Sequence, residues 1–409
     1  MSQKWERNLL GLILTAYVLY AAVFIVKTIF WIDGVPYSAL FDDMMISMTY
    51  ARNLAQGYGL VWNPSGERVE GFSNPLWVVF MALFHLLPVP ENWTSLAVQI
   101  SGGVFFVASL LVLRRVAAQV SGGQSRVVLL AVLLTAFYYP LSNWSLLGLE
   151  VSLLLLMVNL SMFLALRTLE SGQFSRWLYL WMGLATLVRV DAAVTYLTLW
   201  GLLVWFDRAN RRRHLIEGSL FLLLFVGGQT AARKLYYGEW VPNTYILKVE
   251  GLPLWARARR GLQVTWNFVR GMYTPLLALP FTLFLFRRDR KTLLLALVFL
   301  AQIAYSIYVG GDAWEHRGGA NRFVALGMPA FFALFSLAVW EWYDRIRSFV
   351  QKRILAAAGW LTRLMPLGLG LFIALSMLLW NRMPGNYGVV SSLLKAREFE
   401  LRFLLLFER

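Results

Sequence analysis

The apolar residues of this chain gather in long runs separated by short polar segments. Eleven runs stand out: Leu9–Phe30, Thr94–Leu113, Val127–Tyr139, Glu150–Leu166, Trp177–Val188, Ala192–Phe206, Leu215–Ala232, Gly271–Phe286, Thr292–Val309, Phe323–Trp340 and Ile354–Trp380. About 20 apolar residues cover a hydrocarbon core of about 30 Å, so such runs predict membrane-crossing helices. The expectation is an all-α polytopic membrane protein with about 11 transmembrane helices, three of the runs being short enough to be tilted or broken. Pro75–Leu87 opens on a proline and ends in Leu87-Pro88-Val89-Pro90, which predicts an interfacial or re-entrant segment. Leu9–Phe30 is too long for a signal-peptide core and no small-residue cleavage site follows it, so it predicts a retained anchor.

Composition strengthens this reading. The 409 residues are 59% hydrophobic and only 15% charged, against about 25% charged in soluble domains. With no Cys, disulfides, zinc ribbons, iron–sulfur clusters and thiol nucleophiles are excluded. His85, His214 and His316 are too scattered to form a histidine metal site. The net charge of +16 would suggest nucleic acid in a soluble protein, but in a polytopic one it follows from basic cytoplasmic loops. With the N-terminus in the cytoplasm and eleven crossings, the cytoplasmic segments hold 20 of the 38 basic residues against 7 acids. The acidic loops then face outward, and no nucleic-acid partner is expected.

Residues 1–380 therefore read as one transmembrane domain, followed by a short outward tail at 381–409. Three outer segments are rich in polar residues: 31–75, 236–270 and 310–322. In the first, Asp42-Asp43 precede Met44–Gln56, whose apolar positions recur at helical spacing and predict a short helix on the membrane surface. One Asp suffices as a helix cap, and a second carboxylate beside it repels the first. The pair points instead to proton transfer or to a divalent cation such as Mg, Mn or Ca. Glu67, Arg68 and Glu70 follow the Asn63-Pro64-Ser65-Gly66 turn and by themselves read as a solvated loop face. Arg189-Val190-Asp191 interrupts an apolar stretch, where ionisable residues pair or line a cavity. The stretch Tyr236–Lys248 is aromatic enough to be an interface belt, with Asn243 and Lys248 incidental. Gly310–Phe323 concentrates Asp312, Glu315, His316, Arg317 and Arg322, and arginine forks suit an anionic ligand there. Nucleotide-binding and serine-hydrolase motifs are missing.

These segments resemble the arabinofuranosyltransferases of mycobacteria that add terminal β-(1→2)-arabinofuranose, together with their shorter bacterial relatives. The resemblance rests on DDMMISMTYARNLAQGYGLVWNPSGERVEGFSNPLW in the first outer loop, NWSLLGLE (Asn143–Glu150), LVRVDA (Leu187–Ala192), RKLYYGEWVPNTYILK (Arg233–Lys248) and GGDAWEHRGGANRF (Gly310–Phe323). Val190 stands where the family usually has Pro, and the large C-terminal extracytoplasmic domain of the mycobacterial members has no counterpart here.

The resemblance implies the GT-C glycosyltransferase fold, with periplasmic juxtamembrane helices in the first loop. It implies transfer of a pentose, D-arabinofuranose, from a polyprenyl-phosphate donor to an extracytoplasmic hydroxyl on a glycan or a protein such as pilin. The setting would be the bacterial inner membrane, with the site facing the periplasm. Asp42 and Asp43 are then the catalytic candidates, and the metal ligands if a metal takes part. Arg68, Arg189, Lys248, His316, Arg317 and Arg322 are candidates for the donor phosphate. Arg52, Glu70, Asn74, Glu150, Asp191, Asn243 and Asp312 are candidates for binding substrate. The rival expectation is a transporter or flippase of a lipid-linked sugar, which would show internal repeats and mid-membrane polar residues.

Overall fold

The computed structural model describes residues 3–248, 250–312, 321–353 and 358–380. Helix α1 (Gln3–Lys27) is followed by a small antiparallel hairpin, β1 (Phe30–Ile32) and β2 (Val35–Tyr37). This hairpin is an addition to the expected all-helical chain. Its signal is the Asp33-Gly34 pair, both at positive φ (49° and 81°), flanked by residues that favour strands.

The first outer loop continues into α2 (Asp42–Ala55) and α3 (Pro75–His85). α2 starts at the predicted acidic pair. α3 has 11 residues, about 16 Å at 1.5 Å per residue, too short to cross. The chain then runs through α4 (Glu91–Ser121), α5 (Ser125–Ala136), α6 (Tyr139–Leu146), α7 (Val151–Ser171) and α8 (Arg176–Val188). A 3₁₀ turn at Val190–Ala192 leads into α9 (Ala193–Phe206). Next come α10 (Arg211–Leu222) and α11 (Gly228–Tyr237), joined by a π-helical turn, then α12 (Asn243–Lys248), α13 (Leu254–Gly271) and α14 (Thr274–Ala278). The last elements are α15 (Arg290–Val309), α16 (Arg322–Arg353) and α17 (Ala358–Trp380).

Among the described residues, six helical segments are long and apolar enough to cross a membrane, and two bent pairs raise the figure to eight. Three shorter apolar helices, Pro75–His85, Val190–Phe206 and Leu364–Trp380, add to these. The expectation of about 11 crossings, three of them tilted or broken, meets this pattern where the short runs break. The predicted run 127–139 is bent by 54° between α5 and α6, and the run 271–286 belongs to a pair bent by 98° after α13. α8 ends where Arg189 turns to φ −156° and ψ 131°, so this run and the next form two short helices with charged residues at the joint.

α16 is the centre of the bundle, fully buried from Val324 through Phe335 and packed on α5 and α15. The two ends of the bundle differ in chemistry. At one end the ion pairs are Arg114–Glu6, Arg126–Asp344, Arg176–Glu217, Arg287–Glu341 and Lys291–Glu170, from the segments expected to be cytoplasmic. At the other end lies a cluster dominated by acids.

Candidate active site

The turn between α6 and α7 anchors this second end. Gly148 stands at φ 87°, and a Cβ there would meet Leu40 Cδ2 at 2.5 Å. Its carbonyl accepts from Trp77 Nε1 at 3.1 Å, while Leu147 O accepts from Phe41 N at 3.0 Å. Two elements of the first loop are thus latched to one turn, and the turn delivers Glu150, 3% exposed, to the interior.

Glu150 Oε2 accepts from Asn74 Nδ2 at 3.1 Å, and Asn74 Oδ1 accepts from Ser47 Oγ of α2 at 3.0 Å. From the other side Arg189 Nη1 reaches Glu150 Oε1 at 3.4 Å. The same guanidinium forks Asp191 at 3.0 and 2.5 Å and lies 5.0 Å from the Phe323 ring centre. Arg322, the first residue of α16, forks Asp312 at 2.7 and 2.9 Å and gives Nη1 to Asp43 Oδ2 at 3.0 Å. Trp144 is the aromatic wall beneath it, 6.0 Å away. Asn321 caps α16 by accepting from Val324 N at 2.8 Å and donates to Ser306 Oγ at 2.7 Å.

Four carboxylates (Asp43, Glu150, Asp191, Asp312) are therefore arranged around two guanidiniums (Arg189, Arg322). Charges this deep persist only when paired. Asp42 differs from its neighbour: it is exposed, and its Oδ1 accepts from Asp43 N at 2.8 Å. The acidic pair thus divides into an inward carboxylate held by Arg322 and an outward one at the helix start.

A second ion pair sits apart from this cluster. Glu70 and Arg233 of α11 are both buried and meet at 2.5 Å. Burial drives the Glu70 carboxyl above its ordinary range, and Arg233 offsets this only in part. Tyr236 and Tyr237 hold Leu60 through N–H and carbonyl bonds of 3.1 and 2.8 Å, and Arg68 lies 4.6 Å over Tyr236. The first loop is strapped to α11, so Glu70 is buried against protein, while Glu67 and Arg68 remain on an exposed loop face. Behind the strap lies a cavity of 520 Å³ lined mainly by apolar atoms, including Leu60, Phe72, Leu187, Ala232 and Leu235.

Of the residues singled out in the sequence, the structure thus brings together Asp43, Asn74, Glu150, Arg189, Asp191, Asp312 and Arg322. Arg52 lies further along α2, and no described hydrogen bond ties it or Asn243 to the cluster. Lys248 ends α12, and its side chain, like all of His316 and Arg317, lies outside the described residues. Ser47, Trp144 and Arg233 escaped the sequence reading. Arg233 carried a usable signal, an ionisable residue at the end of an apolar run. Among the described residues no three His, Cys, Asp or Glu side chains come together as a metal site. Asp42 and Asp43 alone do not make a cation cage.

No family model matches the chain, and no curated protein matches it in sequence. Solved structures do match its fold. ArnT from Cupriavidus metallidurans bound to undecaprenyl phosphate superposes with TM-score 0.53 at 15% identity, covering 93% of this chain and 73% of that one. The same enzyme in the apo state gives TM-score 0.53 at 16% identity, with the same coverage. An oligosaccharyltransferase from Archaeoglobus fulgidus, tethered to an acceptor peptide containing the NVT sequon, gives TM-score 0.51 at 14% identity. That match covers 95% of this chain and 56% of the archaeal one. The chain is a polytopic membrane protein with the GT-C fold.

Proposed function

We propose that this protein is a membrane glycosyltransferase that moves a sugar from a polyprenyl-phosphate donor to an extracytoplasmic hydroxyl. The observation that carries the reading is the buried network joining Asp43, Arg322, Asp312, Glu150, Arg189 and Asp191 at one end of a GT-C bundle, with Asp42 exposed beside it. The sugar we assign is a pentose, D-arabinofuranose, and the acceptor is a protein such as pilin or a glycan. Both assignments follow from the sequence resemblance of the first outer loop. The acidic end faces the periplasm and the basic end the cytoplasm of a bacterial inner membrane.

In this reading the acceptor oxygen attacks the anomeric carbon as the bond from that carbon to the phosphate oxygen breaks. The polyprenyl phosphate leaves with the bonding electrons, and a carboxylate takes the acceptor's proton. Asp42, exposed beside the cluster, is our candidate for that proton, and Asp43, bound to Arg322, is the positioning partner. Arg189 and Arg322 hold the carboxylates in register rather than the donor phosphate, because each guanidinium already faces two carboxylates, Asp191 and Glu150 for Arg189, Asp312 and Asp43 for Arg322.

The test is transfer of radiolabelled arabinofuranose from a polyprenyl-phosphate donor by purified protein, with and without added Mg, Mn or Ca. Asp42→Asn keeps the shape of the side chain and removes its basicity, so transfer should fall by at least ~10²-fold, the low end of what general base catalysis supplies. Asp43→Asn should be milder. Full activity of both variants would leave the pair as a helix start and nothing more. Transport of intact donor without transfer would favour a flippase.

A further inference from the structure

Arg257 presents an unbalanced charge. It projects from α13, and its Nε and Nη1 are buried with no hydrogen-bond partner among the described residues. Its guanidinium lies 5.1 Å from the ring centre of Tyr308, and Tyr308 in turn is hydrogen-bonded to Tyr245 of α12. A buried guanidinium with idle donors is costly, and an anion in the same space removes the cost.

The surroundings specify that anion. Gly261 of α13 is so close to α15 that a Cβ would fall 2.3 Å from Ile307 O, and the space for a Cβ at Gly310 is bounded by the Arg257 backbone. Arg260, one turn on, donates to the Asp312 carbonyl at 3.3 Å. Arg257 is therefore fixed beside the loop that carries Asp312, at the edge of the acidic cluster. The other face of α13 is different, with Trp255, Leu262 and Trp266 each more than half exposed. Exposed tryptophans on a helix of a membrane protein sit at headgroup level, and α13 bends by 98° from the segment that follows. One face thus meets lipid while the other offers a guanidinium with two buried donors unpaired among the described residues, and its planar fork matches phosphate oxygens.

We propose that Arg257 is the arginine that binds the phosphate of the lipid-linked donor, with the donor entering along α13. This rests on the proposed function above and gives the phosphate a ligand other than Arg189 and Arg322, each of which already faces two carboxylates.

The test uses purified full-length protein in nanodiscs, with farnesyl phosphate and inorganic phosphate as separate probes. Farnesyl phosphate should bind the wild type, Arg257→Gln should weaken it at least 10-fold, and Arg257→Lys should recover part of the loss. Arg259→Gln, an exposed neighbour, should bind as wild type does. Without ligand, Arg257→Gln should melt no lower than the wild type, because the idle buried donors it removes cost more than its stacking on Tyr308 contributes. A lower melting temperature would give Arg257 an internal partner and overturn the proposal. Equal farnesyl phosphate binding by wild type and Arg257→Gln would overturn it too, while leaving glycosyl transfer, assayed on the wild type, to stand by itself. Arg257-dependent binding of inorganic phosphate without farnesyl phosphate would also overturn it, showing an anion pocket that no lipid reaches. A wild type that binds farnesyl phosphate through Arg257 yet transfers no sugar would uphold the phosphate ligand and sink the proposed enzyme.

Discussion

Asp43 and Arg322 meet at 3.0 Å across 279 residues of sequence, joining the first turn of α2 to the first residue of α16. Nε and Nη2 of Arg322 fork Asp312, so one guanidinium clamps the first outer loop to the loop that precedes the central helix.

The two partners of Arg322 should respond unequally. Asp312 is 3% exposed at its side chain while Asp43 is 34% exposed. Arg322→Ala strands a buried carboxylate and should destabilise the protein by about 3–5 kcal/mol. Asp43→Asn leaves the Asp312 fork intact and should cost no more than about 1 kcal/mol. Thermal unfolding in detergent reads both. A small effect of Arg322→Ala would mean that Asp312 finds another partner, and the clamp would be dispensable.

Close packing gives a sharper contrast from two neighbouring glycines on α4. A Cβ at Gly102 would fall 2.3 Å from the Ser145 carbonyl oxygen, whereas one at Gly103 would meet only Leu146 Cδ2 at 3.7 Å. Gly102→Ala should push α4 and α6 apart and cost about 1–3 kcal/mol. Gly103→Ala should be neutral or stabilising by up to about 1 kcal/mol, from helix propensity alone. Equal melting temperatures for the two variants would contradict the close approach of α4 to α6.

The membrane orientation has its own test because the chain has no Cys. Ser65 lies exposed in the first outer loop, and Ser171 lies exposed at the far end of α7. In intact spheroplasts an impermeant maleimide should label Ser65→Cys and spare Ser171→Cys until lysis. The reverse pattern would turn the protein over and place the acidic cluster in the cytoplasm.

What the sequence reveals here depends on contrast. Asp42-Asp43, Glu150, Arg189, Asp191, Asp312 and Arg322 stand out because ionisable residues are rare in so apolar a chain, and six of these seven converge in the structure. Arg257 had no such contrast. It shares a basic helix with Arg259, Arg260 and Arg270, and only packing against Tyr308 and the 310 turn sets it apart. Helix breaks were legible only as runs too short to cross, not as angles. An apolar run shows how much lipid it could cover, but the bend between α5 and α6 depends on what packs around Tyr138 and Pro140, which tertiary structure decides. The strap on α11 was hidden because Glu70 looks like solvated loop, as its exposed neighbours Glu67 and Arg68 are, until Arg233 arrives from far along the chain.

That strap supports a double-mutant test. Glu70 and Arg233 are 7% and 5% exposed at their side chains, and their contact at 2.5 Å borders the apolar cavity. Removing either alone leaves its partner as an unpaired buried charge, which should cost about 3–5 kcal/mol. Removing both leaves no stranded charge, and a buried ion pair is often replaceable by apolar side chains at little net cost. The double variant Glu70→Leu/Arg233→Met should therefore be more stable than either single variant, which requires a coupling energy larger than either single loss, beyond the usual range of about 0.5–3 kcal/mol. The Tyr236 and Tyr237 bonds to Leu60 do not involve either side chain, so the loop should stay docked in all three variants. Protection of residues 57–75 from limited proteolysis reads docking separately from global unfolding. If the two single losses simply add in the double variant, the charges do not compensate one another. The strap would then owe its hold to the tyrosines alone.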